Sequence, residues 1–303
     1  MACEMAPDRA KAWLGRINES LRITFSHTPR RVFRQGLTEP SESLAYLYLQ
    51  IVVYALRRAR LNSESLFGVL LLIGAPIMYI FGFKGVLQTP IGKFGIDSRK
   101  EFRITVYGYF KSVFSYVEDA KTAGLPLEGD TLVDVGTNVG AFAVQMRTRF
   151  RKLVIIDPAA EFLRRAEMNL RINDMNQVYR IERAAHDKSE ELQLGGDGSN
   201  LYVGGSRHPR KVSGDTLDSI LEHHAGIISL VKVDVQGHEL HVIRGMQSLL
   251  SEGKIGLLMV EVHCKRGVNE MELTRDLHSA GYELVYRSSY LFGQPHLYFA
   301  RPN

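Results

Sequence analysis

The stretch "TLVDVGTNVGAFAV" (Thr131–Val144) runs from apolar and β-branched residues into an acid, meets Gly136 and Gly140, and continues as an apolar run with helical spacing. Glycines in such a turn let the backbone pass close to a ligand, and the N–H groups opening the next helix face an anion. The same glycines also suit a plain tight turn that needs φ > 0. The spacing is not G-x-G-x-x-G, and no Lys-Ser/Thr follows, so neither a dinucleotide fingerprint nor a P-loop is satisfied. About 20 residues on, "KLVIIDPAAEF" closes a second apolar run with Asp157, where a carboxylate can accept from both hydroxyls of a ribose. Alternatively, Asp157 caps a helix that Pro158 opens at its first position, a place suited to proline's fixed φ. Turn and acid together specify an adenosine-type ligand with no pyrophosphate requirement, which points to S-adenosylmethionine.

A second group of side chains could handle a proton. "LVKVDVQG" puts Asp234 at the end of an otherwise apolar run, a charge that packing does not explain. The bland reading makes it the cap of a helix starting near His238. "MVEVH" sets Glu261 and His263 two apart, hence on one side of a strand. Removing a proton from an alcohol needs a positioned carboxylate or imidazole, so Asp234, with Glu261 and His263 completing the acceptor site, forms the candidate catalytic set. The three could also hold a divalent metal, but they are scattered and carry no ligand motif, so no metal is the expectation. His238 and Glu239 read as first-turn helix residues, Glu239 complementing the dipole. His223, His224, His241 and His278 have no partner pattern and read as solvated. "GGSRHPRK" (Gly204–Lys211) is a basic insert, either a loop contacting a phosphate or acidic sugar or an exposed loop with solvated charge.

The elements that must position these residues follow from periodicity. From Thr131 onward, β-rich runs occur at "TLVDVG", "KLVIID", "QVYRIERAA", "ISLVKVDV", "IGLLMVEVH", "YELVYRSS" and "HLYFARP". Helical patterns separate several of them: "AAEFLRRAEMNLRIND", "HELHVIRGMQSLLSEG" and "NEMELTRDLHSAG". Such alternation implies crossovers and a mainly parallel sheet covered on both faces, with ligands beyond the carboxyl ends of its strands. The last two runs, Tyr282–Ser288 and His296–Arg301, have no helix between them and should form an antiparallel hairpin at one sheet edge. The fold class is therefore α/β, seven-stranded and mainly parallel.

Upstream the character changes. "SLAYLYLQIVVYAL" (Ser43–Leu56) and "LFGVLLLIGAPIMYIFGF" (Leu66–Phe83) are the most apolar runs, and the second is uncharged over the length of a transmembrane candidate. Its more basic flank, Arg57, Arg58 and Arg60, lies upstream. A single crossing would then keep residues 1–65 cytosolic and place everything after residue 84 outside. Pro76 also interrupts the run. Residues 1–84 are thus expected to be an apolar helical extension, packed on the core or touching a membrane surface, and residues 85–303 the catalytic domain. "FGFKGVLQTPIGKFGID" reads as a hairpin with a Thr-Pro-Ile-Gly turn. The 303 residues carry a formal charge of +5, which mildly favours anionic partners without choosing among them. Two distant cysteines, Cys3 and Cys264, exclude a disulfide framework or thiolate zinc site. The N-terminal stretch lacks the apolar core of a secretory signal, so a cytoplasmic protein, free or peripheral at the cytoplasmic membrane face, is the expectation.

Five blocks resemble, in order and spacing, the FkbM-type methyltransferases: "LVDVGTNVGAFAV", "VIIDPAAEFLRRAEMNLRIND", "RAAHDKSEELQL", "LVKVDVQGHELHVIRGMQSLL" and "LLMVEVH". The resemblance covers roughly residues 85 to 300. It implies a Rossmann-like class I fold and S-adenosylmethionine-dependent O-methylation of a sugar, glycolipid or related metabolite, with a lipid-linked acceptor suiting the apolar N-terminal segment. It also implies that Asp134, Gly136, Asn138 and Gly140 surround the methionine end of the cofactor, that Asp157 holds the ribose, and that Ala185 lines the adenine site mainly with backbone. Two departures stand out. The family usually has Glu-Pro at Asp157-Pro158, and a carboxylate where this chain has Gln236. RNA ribose methylation is an alternative, though no stacking-aromatic cluster accompanies the basic residues and a nucleic-acid partner is not expected. A cofactor-binding module with impaired catalysis is another, for which Gln236 is the only hint.

Overall fold

The structure, a computed structural model, describes residues 79–302 except 81, 176, 198–199, 224–227 and 289–293. The chain falls into two compact units, Met1–Phe114 and Ser115–Asn303. This division lies downstream of the sequence boundary at residue 84. The apolar runs expected to form a helical or membrane-touching extension lie, up to residue 78, outside the described residues. Among the described residues no helix is long and apolar enough to cross a membrane.

In the first unit, strands β1 (Gly85–Thr89) and β2 (Gly92–Ile96) form the expected antiparallel hairpin. Its turn is fixed by Thr89, whose hydroxyl donates to the Gly92 carbonyl (2.7 Å) and accepts from the Gly92 N–H (3.2 Å). A helix over Arg99–Lys111 follows, opened by Ser98, whose side chain accepts from the Glu101 N–H.

The second unit is built on a seven-stranded sheet. Its strands are β3 (Gly129–Val135), β4 (Phe150–Ile156), β5 (Val178–Ile181), β10 (Ile228–Val233), β11 (Ile255–Glu261), β12 (Glu283–Arg287) and β13 (His296–Ala300), in the order β12-β13-β11-β10-β3-β4-β5. The pairs among β11, β10, β3, β4 and β5 are parallel, whereas β13 runs antiparallel to both β11 and β12. All seven β-rich runs of the sequence are present, with the C-terminal hairpin at the edge. Leu132, Val133, Val154, Ile155, Leu230, Val231, Leu258 and Met259 alternate in direction along their strands yet are all buried, because both faces of the sheet are covered. Chain order reverses between β3 and β10, the crevice where ligands bind in such sheets.

Three features depart from the sequence reading. Between β5 and β10 the chain forms a second sheet of four short strands, β6 (Ala184–Ala185), β7 (Glu190–Asp197), β8 (Asn200–Val203) and β9 (Arg210–Asp215), ordered β6-β9-β7-β8. The basic stretch Gly204–Lys211 is the β8–β9 connection and the start of β9. Polar, half-exposed strands such as β9 have too little apolar content to announce themselves. Second, "HELHVIRGMQSLLSEG" is two helices, Glu239–Arg244 and Gln247–Ser251, divided at Gly245. A Cβ at Gly245 would sit 1.9 Å from the His186 carbonyl oxygen, so backbone approach sets the break. Third, the helix after β4 spans Ala160–Arg171, and Pro158 precedes its N-cap Ala159 instead of occupying the first helical position. The Asp157 carboxylate accepts from the Ala159 N–H (2.9 Å) and holds residues 157–159 in a turn.

Candidate cofactor and acceptor site

The carboxyl ends of β3, β4 and β10 open onto one pocket. Val135, Gly136 and Asn138 supply one wall, Ile156, Asp157, Pro158 and Phe162 a second, and Asp234, Val235, Gln236 and His238 a third. Ala184 and Ala185 join Leu194, Leu201, Tyr202 and Val203 of the small sheet to close the far side. The order of the strands, not their separation in sequence, makes these tips neighbours.

Each predicted residue of the glycine turn has a definite task. Gly136 (φ +75°) lines the pocket, and a Cβ there would meet the Asp234 carbonyl oxygen at 1.9 Å, so the tips of β3 and β10 touch through it. Gly140 (φ +77°) is not a pocket residue. A Cβ there would lie 2.9 Å from the Ala166 Cβ, so this glycine brings the helices Ala141–Met146 and Ala160–Arg171 together. Asp134, expected at the methionine end, is fully buried behind the pocket, paired with Lys232 Nζ at 3.0 Å and accepting from the Thr137 hydroxyl at 2.9 Å. Lys232 Nζ also donates to the Gly136 carbonyl (3.1 Å). This buried pair therefore braces the turn from below.

Asn138 and Asp157 make the polar face. The Asn138 N–H donates to Asp157 Oδ2 at 3.0 Å, tying the β3 turn to the tip of β4. Asn138 holds φ at +52°, and its Oδ1 is buried in the pocket wall with no hydrogen-bond partner. Asp157 is 6% exposed, and burial pushes its carboxyl up to about 6 against the opposing pull of the Ala159 and Asn138 N–H groups. Two N–H bonds leave about half of a carboxylate's lone-pair sites for ligand hydroxyls. Asp157 thus holds the local turn and at the same time lines the pocket. A buried, unmatched amide oxygen, a carboxylate with acceptor sites to spare, and apolar walls from Ile156, Phe162, Leu194 and Val203 fit a polar nucleoside such as S-adenosylmethionine. Ala185, 4% exposed in β6, lies on the wall expected for adenine.

The proton-handling residues come together as well. Asp234 lines the pocket and does not cap the following helix, whose N-cap is His238. The Tyr116 hydroxyl donates to Glu261 Oε2 (2.7 Å) and Asp234 Oδ2 (3.0 Å), so one phenolic hydrogen serves two carboxylates. Tyr116 closes a π-helical turn, Ser112–Tyr116; burial first, then the charges of Asp234 and Glu261, raises its pKa far above the usual value and keeps it a donor. The Gln236 amide donates to Asp234 Oδ1 at 3.0 Å, with φ +59° at Gln236. His263 Nε2 stands 3.9 Å from Asp234 Oδ1 and 3.8 Å from Glu261 Oε1, while its Nδ1 meets Glu239 Oε1 at 2.7 Å. Burial alone would lower the His263 pKa, but that hydrogen bond and the charges of Asp234, Glu239 and Glu261 outweigh it and raise it. Asp234, Glu261 and His263 also have the donor types and spacing to hold a divalent cation.

Several side chains differ from their sequence roles. Glu239 stands in the first helical turn as expected, but it is also fully buried, accepts from the Gly237 N–H at 2.9 Å and holds His263. His241 is not simply solvated, since its Nδ1 meets Asp187 Oδ2 at 2.7 Å. His223 and His278 are exposed as expected, and His224 lies outside the described residues. Tyr116 and Lys232 were missed. Tyr116 lies 118 residues from Asp234 with no local motif, whereas Lys232, a lysine within an apolar strand run, was a legible signal.

Residues 134–284 match the methyltransferase FkbM domain. The hexuronic acid methyltransferase AglP of Haloferax volcanii is 29% identical over 157 residues, 50% of this chain and 63% of that protein, so less than two thirds of the relative's length is spanned. Among solved structures, the FkbM methyltransferase of Methylobacillus flagellatus aligns with a TM-score of 0.45 at 17% identity, covering 66% of this chain and 54% of that one. The magnesium protoporphyrin IX methyltransferase of Synechocystis PCC 6803, with bound S-adenosylmethionine, aligns with a TM-score of 0.43 at 16% identity, covering 66% and 83%. Residues 134–284 thus carry a methyltransferase FkbM domain, a domain of S-adenosylmethionine-dependent methyltransferases.

Proposed function

We propose that the enzyme methylates a hydroxyl of a carbohydrate, free or carried on a lipid or protein, with Asp234 as the base. The observation that carries this reading is the shared pocket: Asp157 and Asp234, from the tips of β4 and β10, face one cavity across the β3 turn. Asp157 and Asn138 would hold the nucleoside, with Ala185 against its base. Bound S-adenosylmethionine supplies an electrophilic methyl group. The chain's own task is to align an acceptor oxygen and take its proton as the new C–O bond forms. Asp234 is the carboxylate of the set that reaches the pocket; Glu261 and His263 stand behind it and act through Tyr116 and direct charge as positioning residues. Gln236 supports this role, because its amide donates to Asp234 where a second carboxylate would repel it. A sugar acceptor is favoured by the hexuronic acid activity in the name of the Haloferax relative.

The test is label transfer from methyl-labelled cofactor to fractionated glycans, lipids and RNA. Label is expected in the glycan fraction, and in the lipid fraction only where a sugar headgroup is present. Asp234→Asn should lower turnover by about a hundredfold or more while cofactor affinity by calorimetry stays within about twofold. Transfer at the wild-type rate by that variant would remove Asp234 from the base role.

A further inference from the structure

We propose that His186, His238 and His241 bind one divalent transition-metal ion of the zinc type, at a site distinct from the acceptor set. One ring nitrogen from each of the three lies within 4.8 Å of the others. His186 Nδ1 and His238 Nε2 face each other at 2.7 Å. The far nitrogen of His186 is already held, Nε2 meeting Glu190 Oε1 at 2.7 Å and Asp187 Oδ1 at 3.2 Å. His241 is held in the same manner by Asp187 Oδ2 at 2.7 Å. Carboxylates on the outer nitrogens of clustered imidazoles orient metal-ligating histidines, fixing the tautomer and raising ligand basicity.

The cluster is assembled by the fold and not by a flexible loop. His186 follows β6, and its N–H is bonded to the Asp215 carbonyl at 2.8 Å. Its carbonyl packs where a Cβ of Gly245 would be, 1.9 Å away, locking it against the end of the helix Glu239–Arg244. His238 and His241, three apart, present both rings on one side of that helix's first turn, stacked with centroids 4.2 Å apart at 14°. His186 stands beside both, with ring centroids 4.8 Å from His238 and 4.9 Å from His241. Its side chain is 4% exposed and that of His241 43%, so an ion has a protected seat and an open entrance. Tetrahedral zinc at about 2.0–2.1 Å from each nitrogen separates its ligands by about 3.3 Å. The 2.7 Å contact therefore has to open slightly, and the ring donating across it has to move its hydrogen to its other nitrogen. Three imidazoles with a nearby carboxylate suit zinc, nickel or copper and not magnesium or calcium. Because His238 also lines the cofactor pocket, the ion would clip the small sheet to the pocket wall.

The experiment uses the full chain, stripped with a chelator and titrated with zinc, with cobalt as a spectroscopic probe. One equivalent should bind, the melting temperature should rise, and cobalt should give the intense visible bands of a tetrahedral nitrogen-rich site. Magnesium should do none of these. His241→Ala and His186→Gln, each checked for cofactor binding as proof of folding, should lose that equivalent, whereas Glu261→Gln should keep it. Zinc binding retained by both histidine variants, lost in Glu261→Gln, or absent from the wild type would each overturn the proposal.

Discussion

At the scale of residues, the pocket depends on atoms whose partners are incomplete without a ligand. Asp157 receives two backbone N–H groups yet remains buried enough for its carboxyl to titrate near 6. In the proposed role ribose hydroxyls donate to the ionised form, so affinity for S-adenosylmethionine is expected to be constant above that value and to fall about tenfold per pH unit below it. Calorimetry between pH 4.5 and 8 checks the sign and the break. Asp157→Ala should remove the break and weaken binding by about tenfold to a hundredfold, the worth of one hydrogen bond to a charged group. Gln236 poses the complementary case. Restoring a carboxylate with Gln236→Glu replaces an amide donor 3.0 Å from Asp234 with a like charge, which disfavours ionisation of Asp234. The acid limb of the kcat/KM profile should move up by about one pH unit or more. An unchanged profile would show that Asp234 does not govern that limb.

At the scale of elements, the π-helical turn Ser112–Tyr116 brings a phenol to the tips of β10 and β11. Such turns insert one residue into the helical register and recur at functional sites. The Tyr116 ring is fixed on both sides, edge-on to Phe142 with centroids 5.5 Å apart and against His296 at 4.6 Å, itself bonded to Asp119 at 2.9 Å. Tyr116→Phe keeps that packing and deletes one hydroxyl, leaving Asp234 and Glu261 without their common donor. Turnover should fall and its acid limb rise while cofactor affinity is unchanged, and stability should drop by about 1–3 kcal/mol. Denaturant unfolding beside a pH–rate profile separates these effects. If only stability moves, the tyrosine is structural and not a positioning residue.

At the scale of the whole molecule, the parallel sheet concentrates charge at one end. Asp134, Asp157, Asp234, Glu239 and Glu261 lie along the carboxyl ends of β3, β4, β10 and β11, and Lys232 is the buried lysine set among them. The Lys232–Asp134 pair is enclosed on both sides, with side-chain exposures of 4% and 1%. Lys232→Met preserves length and apolar contact but strands Asp134 in the core, at a cost of about 3–5 kcal/mol. Thermal unfolding should show a large loss, and Asp134→Asn in the same background should recover part of it. A double variant no more stable than the single one would mean the lysine acts through the Gly136 carbonyl instead.

The sheet and its cofactor turn were legible because they are written locally. Seven β-rich runs, the edge hairpin, the Thr-Pro-Ile-Gly turn and the pairing of a glycine bend with an acid at the next strand's end all lie within short windows whose periodicity reflects burial. Asp234, Glu261 and His263 were legible for the same reason, as charges at the ends of apolar runs. The small sheet escaped because β6 is only two residues long and β9 is polar and half-exposed, and the break at Gly245 because only the His186 backbone demands it. Nothing near Tyr116, Glu239 or His241 in the sequence names their partners. Those contacts arise from strand order and helix placement, which bring together groups as far apart as 145 residues for Tyr116 and Glu261 and 177 for Asp119 and His296. Local patterning determined which elements form and which of them end in a charge. The tertiary structure alone decided which charges share a hydrogen, because that depends on distances set by non-local packing.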